Sequence, residues 1–479
     1  MFIPISVDAY VLPRASLTLA GGGLLLAAGL IAGRRALGPL RLAVLAAAVA
    51  AVAAGLLSVA PSLSLAGAYS RYESLPVRLA YLALFCGAAW VGERRHTVTA
   101  FLAGCGVASV EALLQAATHA LPRADGNLGN ANLLGALLAM AVPLAADRAR
   151  TAPPGIRRSW LALCALLGAG LVASTSRSGW LGALAGLLVV TACVVSGRRL
   201  WGVVAGGAVA LAVAFALIAS TPLRALNDDK GEARLGIWHD AVAVIAERPV
   251  LGWGEDTLGL VFGRHQSGDW APGHNLDRAH SMPLDLAAAQ GLAGLAACTW
   301  LLAVWWLGVW RRRAQAGMAG LAGAAAAYLA WSLVNFDWAP ATAAFWLLAG
   351  AAWPGDGAVV WRPRPESRTL LVAVGAALLG LALAVPAQVA DVLYYAGRTD
   401  VAVAIDPLQP AYHAALGTRA GLRRAAELGD PGPGTYVALG DAEERAGNPV
   451  AARAAYRRAL ELYPFDRDAR QRLGVAARS

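Results

Sequence analysis

The chain has 479 residues, of which 58% are hydrophobic and 15% charged, whereas a soluble domain carries roughly a quarter charged residues. Its net charge of +10 is carried by short arginine clusters between apolar runs, which argues against a nucleic-acid surface and for orientation in a membrane by positive charge on the cytoplasmic side. Cys86, Cys105, Cys164, Cys193 and Cys298 all fall inside apolar runs at no paired spacing, so neither a disulfide framework nor a zinc site is expected.

In chain order, the hydrophobic pattern predicts helical spans near 15–33, 40–60, 76–92, 97–117, 131–147, 158–173, 179–195, 200–219, 284–310, 317–335, 338–353 and 369–390. These runs approach or reach the roughly 20 residues needed to cross the hydrocarbon layer. Alternate connections separate by charge. One set holds Arg34, Arg35, Arg41, Arg94, Arg95, Arg148, Arg150, Arg157, Arg158, Arg198, Arg199, Arg311, Arg312, Arg313, Arg362, Arg364 and Arg368, and is expected in the cytoplasm. The other set is poor in arginine apart from one long loop at about 220–283. The expected fold is all-α: a polytopic helical bundle of about twelve spans over 1–390, then a helical-repeat tail over 391–479. The long loop and the tail are placed outside the cytoplasmic membrane.

Within the long loop, 234–246 reads as an amphipathic helix with Leu235, Trp238, Val242 and Ile245 on one face, ended by Pro249 and Gly252-Trp253-Gly254. Two placements are open: on the membrane surface, or against the loop's own core. In the tail, Tyr436, Leu439, Gly440, Gly447, Ala452, Tyr456, Ala459 and Pro464 follow the spacing of the tetratricopeptide repeat. Ile405-Asp406-Pro407 and Leu416-Gly417 read as a degenerate preceding repeat. Such repeats need neighbours to bury their faces, so the tail is expected to pack on the membrane domain or a protein partner.

Polar residues at the external ends of spans are the candidates for chemistry, because holding them near lipid costs energy. They form four clusters: Ser70-Arg71-Tyr72-Glu73; Gly129-Asn130-Ala131-Asn132; Ser174-Thr175-Ser176-Arg177-Ser178-Gly179-Trp180; and the long loop with Arg234, Trp238, Arg264, His265, His274, Asp277, Arg278 and His280. Arginine offers a planar, permanently charged fork that suits a diphosphate. Histidine, with an ordinary pKa of about 6.5, suits proton removal near neutrality. Such a set can run a glycosyl transfer in which arginines meet the departing diphosphate and a histidine takes the acceptor's proton. Plainer readings stand beside this one. Arg71 and Arg177 also read as interfacial anchors, Asn130 and Asn132 as a helix cap or interhelical bonds, and His265 and His274 as ordinary loop histidines. No His/Cys/Asp/Glu spacing reads as a metal site.

Taken in order, these segments resemble the O-antigen ligase and polymerase-like family of bacterial membrane glycosyltransferases, in the branch with C-terminal tetratricopeptide repeats. The resemblance rests on Ser70-Arg71-Tyr72-Glu73, Gly129-Asn130-Ala131-Asn132-Leu133-Leu134-Gly135, Ser176-Arg177-Ser178-Gly179-Trp180, Arg234-Leu235-Gly236-Ile237-Trp238, Arg248-Pro249-Val250-Leu251-Gly252-Trp253-Gly254, Asp277-Arg278-Ala279-His280 and Gln290-Gly291-Leu292 with Gly294. It implies a GT-C-like membrane fold and a metal-independent enzyme without cofactor. The implied donor is an undecaprenyl-diphosphate-linked glycan, and the acceptor a lipid, glycan or protein. It further implies His280 as base and Arg177, Arg234 and Arg278 as diphosphate ligands. Arg71, Asn130, Asn132, Ser176 and Trp238 would support them. Ser281 stands where the family usually has asparagine. A polysaccharide polymerase, a transporter or flippase, and a non-catalytic membrane scaffold are the competing functions. Against transport, the polar residues gather at one face, with no charged pair in mid-span and no paired broken spans.

Overall fold

The computed structural model describes residues 3–32, 37–220, 232–353 and 366–474. Arg34, Arg35, Arg362, Arg364 and the 221–231 part of the long loop lie outside the described residues. In chain order the helices are α1 (Val11–Ile31), α2 (Leu40–Leu56), α3 (Pro61–Ala66), α4 (Leu75–Val91), α5 (Arg94–Thr118), α6 (Ala131–Thr151), α7 (Pro154–Ala173), α8 (Arg177–Val194), α9 (Arg198–Ser220), α10 (Glu232–Glu247), α11 (Leu258–Val261), α12 (Met282–Arg311), α13 (Met318–Ser332), α14 (Ala339–Ala352) and α15 (Ser367–Tyr395). The tail adds α16 (Thr399–Ile405), α17 (Pro410–Ala415), α18 (Arg419–Leu428), α19 (Pro433–Arg445), α20 (Pro449–Leu462) and α21 (Arg467–Leu473).

The chain is an all-helical, multi-pass membrane protein with a helical-repeat C-terminus. A helix stands at each place where the sequence predicts a span. Seven of the described helices are long and apolar enough to cross a membrane, and α2, α4, α13 and α14 are shorter apolar helices. Small residues set the closest approaches. A Cβ on Gly135 of α6 would come within 2.4 Å of Ser176, and one on Gly182 of α8 within 2.7 Å of the Ala327 carbonyl. The basic connections are drawn together at one end, where Arg94 donates to the carbonyls of Ala351 and Ala316 at 3.3 Å each.

One helix is broken. Gly291, with φ 66° and ψ −172°, interrupts α12. The turn segment 249–254 lies against the break and exchanges backbone bonds with it. Trp253 N donates to Ala288 O and Gly254 N to Ala289 O, each at 2.9 Å, while Leu292 N donates to Pro249 O at 2.7 Å and Ala293 N to Val250 O at 3.1 Å. This splice satisfies the groups that the break frees. It also explains why glycines recur in both segments: a Cβ on Gly291 would meet Val250 O at 2.2 Å, and one on Gly252 would meet Ala288 O at 2.5 Å. Gly291→Ala is therefore expected to cost on the order of 1–3 kcal/mol from backbone strain, with the overlap adding to it. An unchanged melting temperature in detergent would show that the splice tolerates a side chain.

The long loop folds on itself. Its helix α10 buries Ile237, Asp240, Ala241 and Val244, whereas Leu235 and Val242 are exposed. The buried stripe is thus rotated from the predicted one, and the helix packs on the loop's own core with Trp253, Phe262 and Leu276. Trp270 fixes the rotation. Its ring fills the space over Gly236, and its indole donates to Asp240 at 2.7 Å. The same core continues into the repeats through Tyr436, Ala459, Leu462 and Ala469. Asn275 donates to Pro431 O at 2.6 Å, and Tyr463 donates to Asp269 at 3.0 Å. Within the repeat, Tyr456 packs over Gly440, as the repeat spacing requires.

Candidate functional site

The site is assembled from turns that connect helices at the end of the bundle opposite the basic connections. Asn130 caps α6, its side chain accepting from Asn132 N at 2.8 Å and Leu133 N at 3.2 Å. Ser176 caps α8, accepting from Gly179 N at 3.3 Å. It also donates to the side chain of Asn132 at 3.2 Å, so the two motifs meet across the α6–α8 contact. Arg177 is the first residue of α8, next to that bond.

Arg71, Asn130, Asn132, Arg234 and His280 line one open cavity of about 290 Å³, together with Leu133, Trp331, Asn335, Phe336 and Trp338. Five residues from four separate sequence motifs are thereby brought together. His280 has φ +53°, a left-handed conformation that costs a histidine energy and needs support from its surroundings. The support is visible. Ala279 before it is fully buried in the loop core, and its N–H donates to Asp285 at 2.7 Å. The His280 ring meets Phe336 edge-on, with centroids 5.3 Å apart. Arg234 donates to the carbonyl of Val334 at 2.9 Å.

The 70–73 turn and the 277–280 turn brace each other. Arg71 grips Asp277 with two bonds of 2.6 and 3.1 Å, and its guanidinium lies over the rings of Phe336 and Trp338. In return Arg278 pairs with Asp256, whose other oxygen accepts from Ala68 N at 2.8 Å and Glu73 N at 3.1 Å. Ser70, Tyr72 and Asp256 all have positive φ, so these braces hold a strained backbone. Burial alone would raise the Asp277 carboxyl, but Arg71 and Arg278 outweigh it and hold its pKa below the usual range.

Arg278 therefore does not stand where the sequence places it. It is buried at 6% exposure and lines a separate small polar chamber with Glu73, Arg78, Glu255, Asp256, Asp285 and Asp337. Its charge is met there by Asp256; burial alone would lower the guanidinium pKa, but Asp256 and Asp277 outweigh it and push it up. Trp238 lies one turn beyond Arg234 on α10, and Arg177 stands beside Ser176; neither is among the residues lining the cavity.

Glu73 in the chamber accepts from the Tyr81 hydroxyl at 2.7 Å. Burial pushes its pKa up to about 8, against the opposing pull of Arg78. A folded-state pKa above the unfolded one means that the folded chain binds the proton more tightly. Stability linked to Glu73 is then present below the ordinary carboxylate range and is lost as pH rises through about 8. Glu73→Gln should flatten that loss. The check is the melting temperature in detergent at pH 5 and pH 8, and an equal drop in both proteins would remove Glu73 as its source.

Sequence reasoning missed the α13–α14 turn, Val334 to Trp338, which supplies the cavity's aromatic wall. Its signal was available: Asn335, Phe336, Asp337 and Trp338 form a polar and aromatic run at an external span end, like the four clusters that were singled out. Arg123 was also missed. It donates to Thr175 at 2.9 Å and Asn132 at 3.0 Å, tying the α5–α6 connection to both motifs.

Residues 162–299 match the family described as O-Antigen ligase. This stretch runs from α7 into α12 and contains Arg177, Arg234, Arg278 and His280. This stretch of the chain is similar to the O-antigen ligases. Residues 433–476 match a Tetratricopeptide repeat, which covers α19, α20 and α21. No curated protein and no solved structure matches the chain significantly. The O-antigen ligase match supports a membrane glycosyltransferase of the ligase or polymerase type.

Proposed function

We propose that the chain transfers a glycan from an undecaprenyl-diphosphate carrier to an acceptor hydroxyl or amine at the outer face of the bacterial cytoplasmic membrane. The observation that carries this reading is the single open cavity in which His280, Arg234 and Arg71 meet. His280 takes the proton from the acceptor. The acceptor atom attacks the anomeric carbon, and the carbon–oxygen bond to the diphosphate breaks with its electron pair on the leaving oxygen. Arginines meet the charge that develops there. Arg234 and Arg177 take this role. Arg71, already held by Asp277, and Arg278, held by Asp256, act as braces that position the His280 turn.

The described arginine-rich connections lie at the other end of the bundle, and positive charge toward the cytoplasm would put the cavity, the long loop and the tail outside. The membrane domain is taken as 1–390 with about twelve spans, and the repeats as 391–479. Ligase and polymerase share this chemistry and differ in the acceptor.

The test is transfer in liposomes holding purified protein, an undecaprenyl-diphosphate oligosaccharide and a panel of lipid, glycan and protein acceptors, with EDTA present. Wild type is expected to glycosylate one acceptor class. Arg234→Ala should lower kcat/KM by about tenfold or more, the worth of a charge-assisted bond of roughly 1.5–3 kcal/mol. Transfer to no acceptor, with donor and protein shown intact, would sink the proposal.

A further inference from the structure

Just before the tail, a buried carboxylate reaches back toward the cavity. Asp391 stands near the end of α15 and is fully buried. One of its oxygens accepts from the Ser6 hydroxyl and from Asp8 N, the latter at 2.9 Å. The other accepts from the Tyr69 hydroxyl at 2.5 Å and the Tyr412 hydroxyl at 3.2 Å. Four donors on three other segments thus meet on a single side chain. They come from the stretch before α1, the turn that carries Arg71, and α17 of the tail. A carboxylate suits this junction because it only accepts, and its two oxygens have room for about four bonds.

The turn at 67–72 is the member that bears on the site. Gly67, Ser70 and Tyr72 have positive φ, of 84°, 67° and 55°, and for the serine and the tyrosine such a backbone persists only where its surroundings hold it. Successive residues are held from different elements. Gln409 is buried and donates from Nε2 to Gly67 O at 3.2 Å. Ala68 N donates to Asp256. The Tyr69 hydroxyl donates to Asp391, and its ring meets those of Tyr72, Tyr394 and Tyr412 edge-on, with centroids 5.8, 6.4 and 5.9 Å apart. Two residues on, Arg71 lines the cavity and grips Asp277, three residues before His280.

Resting on the glycan-transfer reading, we infer that Asp391 is a positioning residue: through Tyr69 it seats the turn from which Arg71 holds the His280 segment. The first tail helices share the task through Tyr412 and Gln409. Asp391 does not line the cavity. Its effect runs from Asp391 to Tyr69, along two residues of backbone to Arg71, and from Arg71 to Asp277. Arg234, which meets the diphosphate in that reading, is anchored on Val334, outside this chain of contacts. Loosening Asp391 therefore displaces the base and leaves the donor's anchor in place.

Tyr69→Phe keeps the ring packing and removes the hydroxyl. Asp391→Asn keeps the shape, but Asp8 N can only donate, so the amide must turn its oxygen there and present its NH2 to the tyrosines. Transfer rates in liposomes are measured beside donor binding in nanodiscs without acceptor, the donor being an undecaprenyl-diphosphate oligosaccharide. Each variant is expected to lower kcat on the order of tenfold, within the roughly hundredfold that a displacement of about 1 Å can cost, while donor affinity stays at the wild-type value. In an Arg71→Ala background neither substitution lowers kcat further, since the residue it acts through is gone. Losses that multiply in the double variants, or donor affinity that falls in step with kcat, would mark a merely structural role and overturn the inference. Wild-type kcat in Tyr69→Phe would overturn it as well, and this variant alone decides if Asp391→Asn does not fold. An inactive wild type overturns the glycan-transfer reading and the inference with it, whereas an active wild type beside unaffected variants overturns the inference alone.

Discussion

Replacing His280 by alanine is expected to lower glycan transfer by roughly 10²–10⁴-fold, the usual worth of a general base, with donor affinity nearly unchanged. The physical ground is the division of labour around the cavity. Arg234 is anchored through Val334 on a different turn, so removing the imidazole leaves it in place. The turn itself is held by Ala279 and Asp285. His280→Asn is the stricter variant, since asparagine tolerates the left-handed backbone at this position but cannot serve as a base near neutral pH. Initial rates in the liposome assay, read beside donor binding, separate the two effects. Transfer at the wild-type rate in either variant would remove His280 from the chemistry. A parallel loss of donor binding would make it a ligand of the donor instead.

The second large effect concerns the tail. A chain ending at Gly397 is expected to insert into the membrane yet lose nearly all transfer, because it forfeits the repeat side of a shared core. Phe262, Leu276 and Ala279 of the long loop pack in one cluster with Tyr436, Ala459 and Leu462 of the repeats. Gly263 approaches the Leu462 carbonyl so closely that a Cβ would stand 2.3 Å from it. Asn275, five residues before His280, is tied to Pro431. Phe262→Ala tests the same coupling more gently. The side chain is fully buried, and its removal should cost about 3–5 kcal/mol. Limited proteolysis of 258–281 in the intact membrane protein reads the result: cleavage should rise in both variants. A truncated protein that keeps full transfer and a protected loop would show that the tail is an independent appendage.

Much of the site was legible as chemistry and illegible as geometry. Asn130 and Ser176 announced themselves as helix caps, since Asn and Ser before apolar runs satisfy free N–H groups, and both do so here. That the Ser176 hydroxyl would also reach Asn132 required two helices to meet at Gly135. Arg71 and Arg278 looked alike in sequence as external arginines. Only the fold shows that each is matched to a carboxylate. The glycines of 252–254 and 291 were visible as motifs, but their common purpose, a backbone splice across a broken helix, depends on segments nearly forty residues apart. Which face of α10 packs on the loop core was not legible locally, because Trp270, which decides it, lies far beyond the helix.

The sequence by itself determined that this is a helical membrane protein with a repeat tail, and which span ends carry polar groups. Hydrophobic period, charge bias and repeat spacing are local properties, and the bilayer enforces them segment by segment. The tertiary structure decided which carboxylates Arg71 and Arg278 meet, that the α13–α14 turn forms a wall of the cavity, and that the repeats buttress the His280 turn. Those outcomes depend on which surfaces meet. Whether an arginine meets a carboxylate depends on its neighbour across the bundle, and nothing local in the chain records that neighbour.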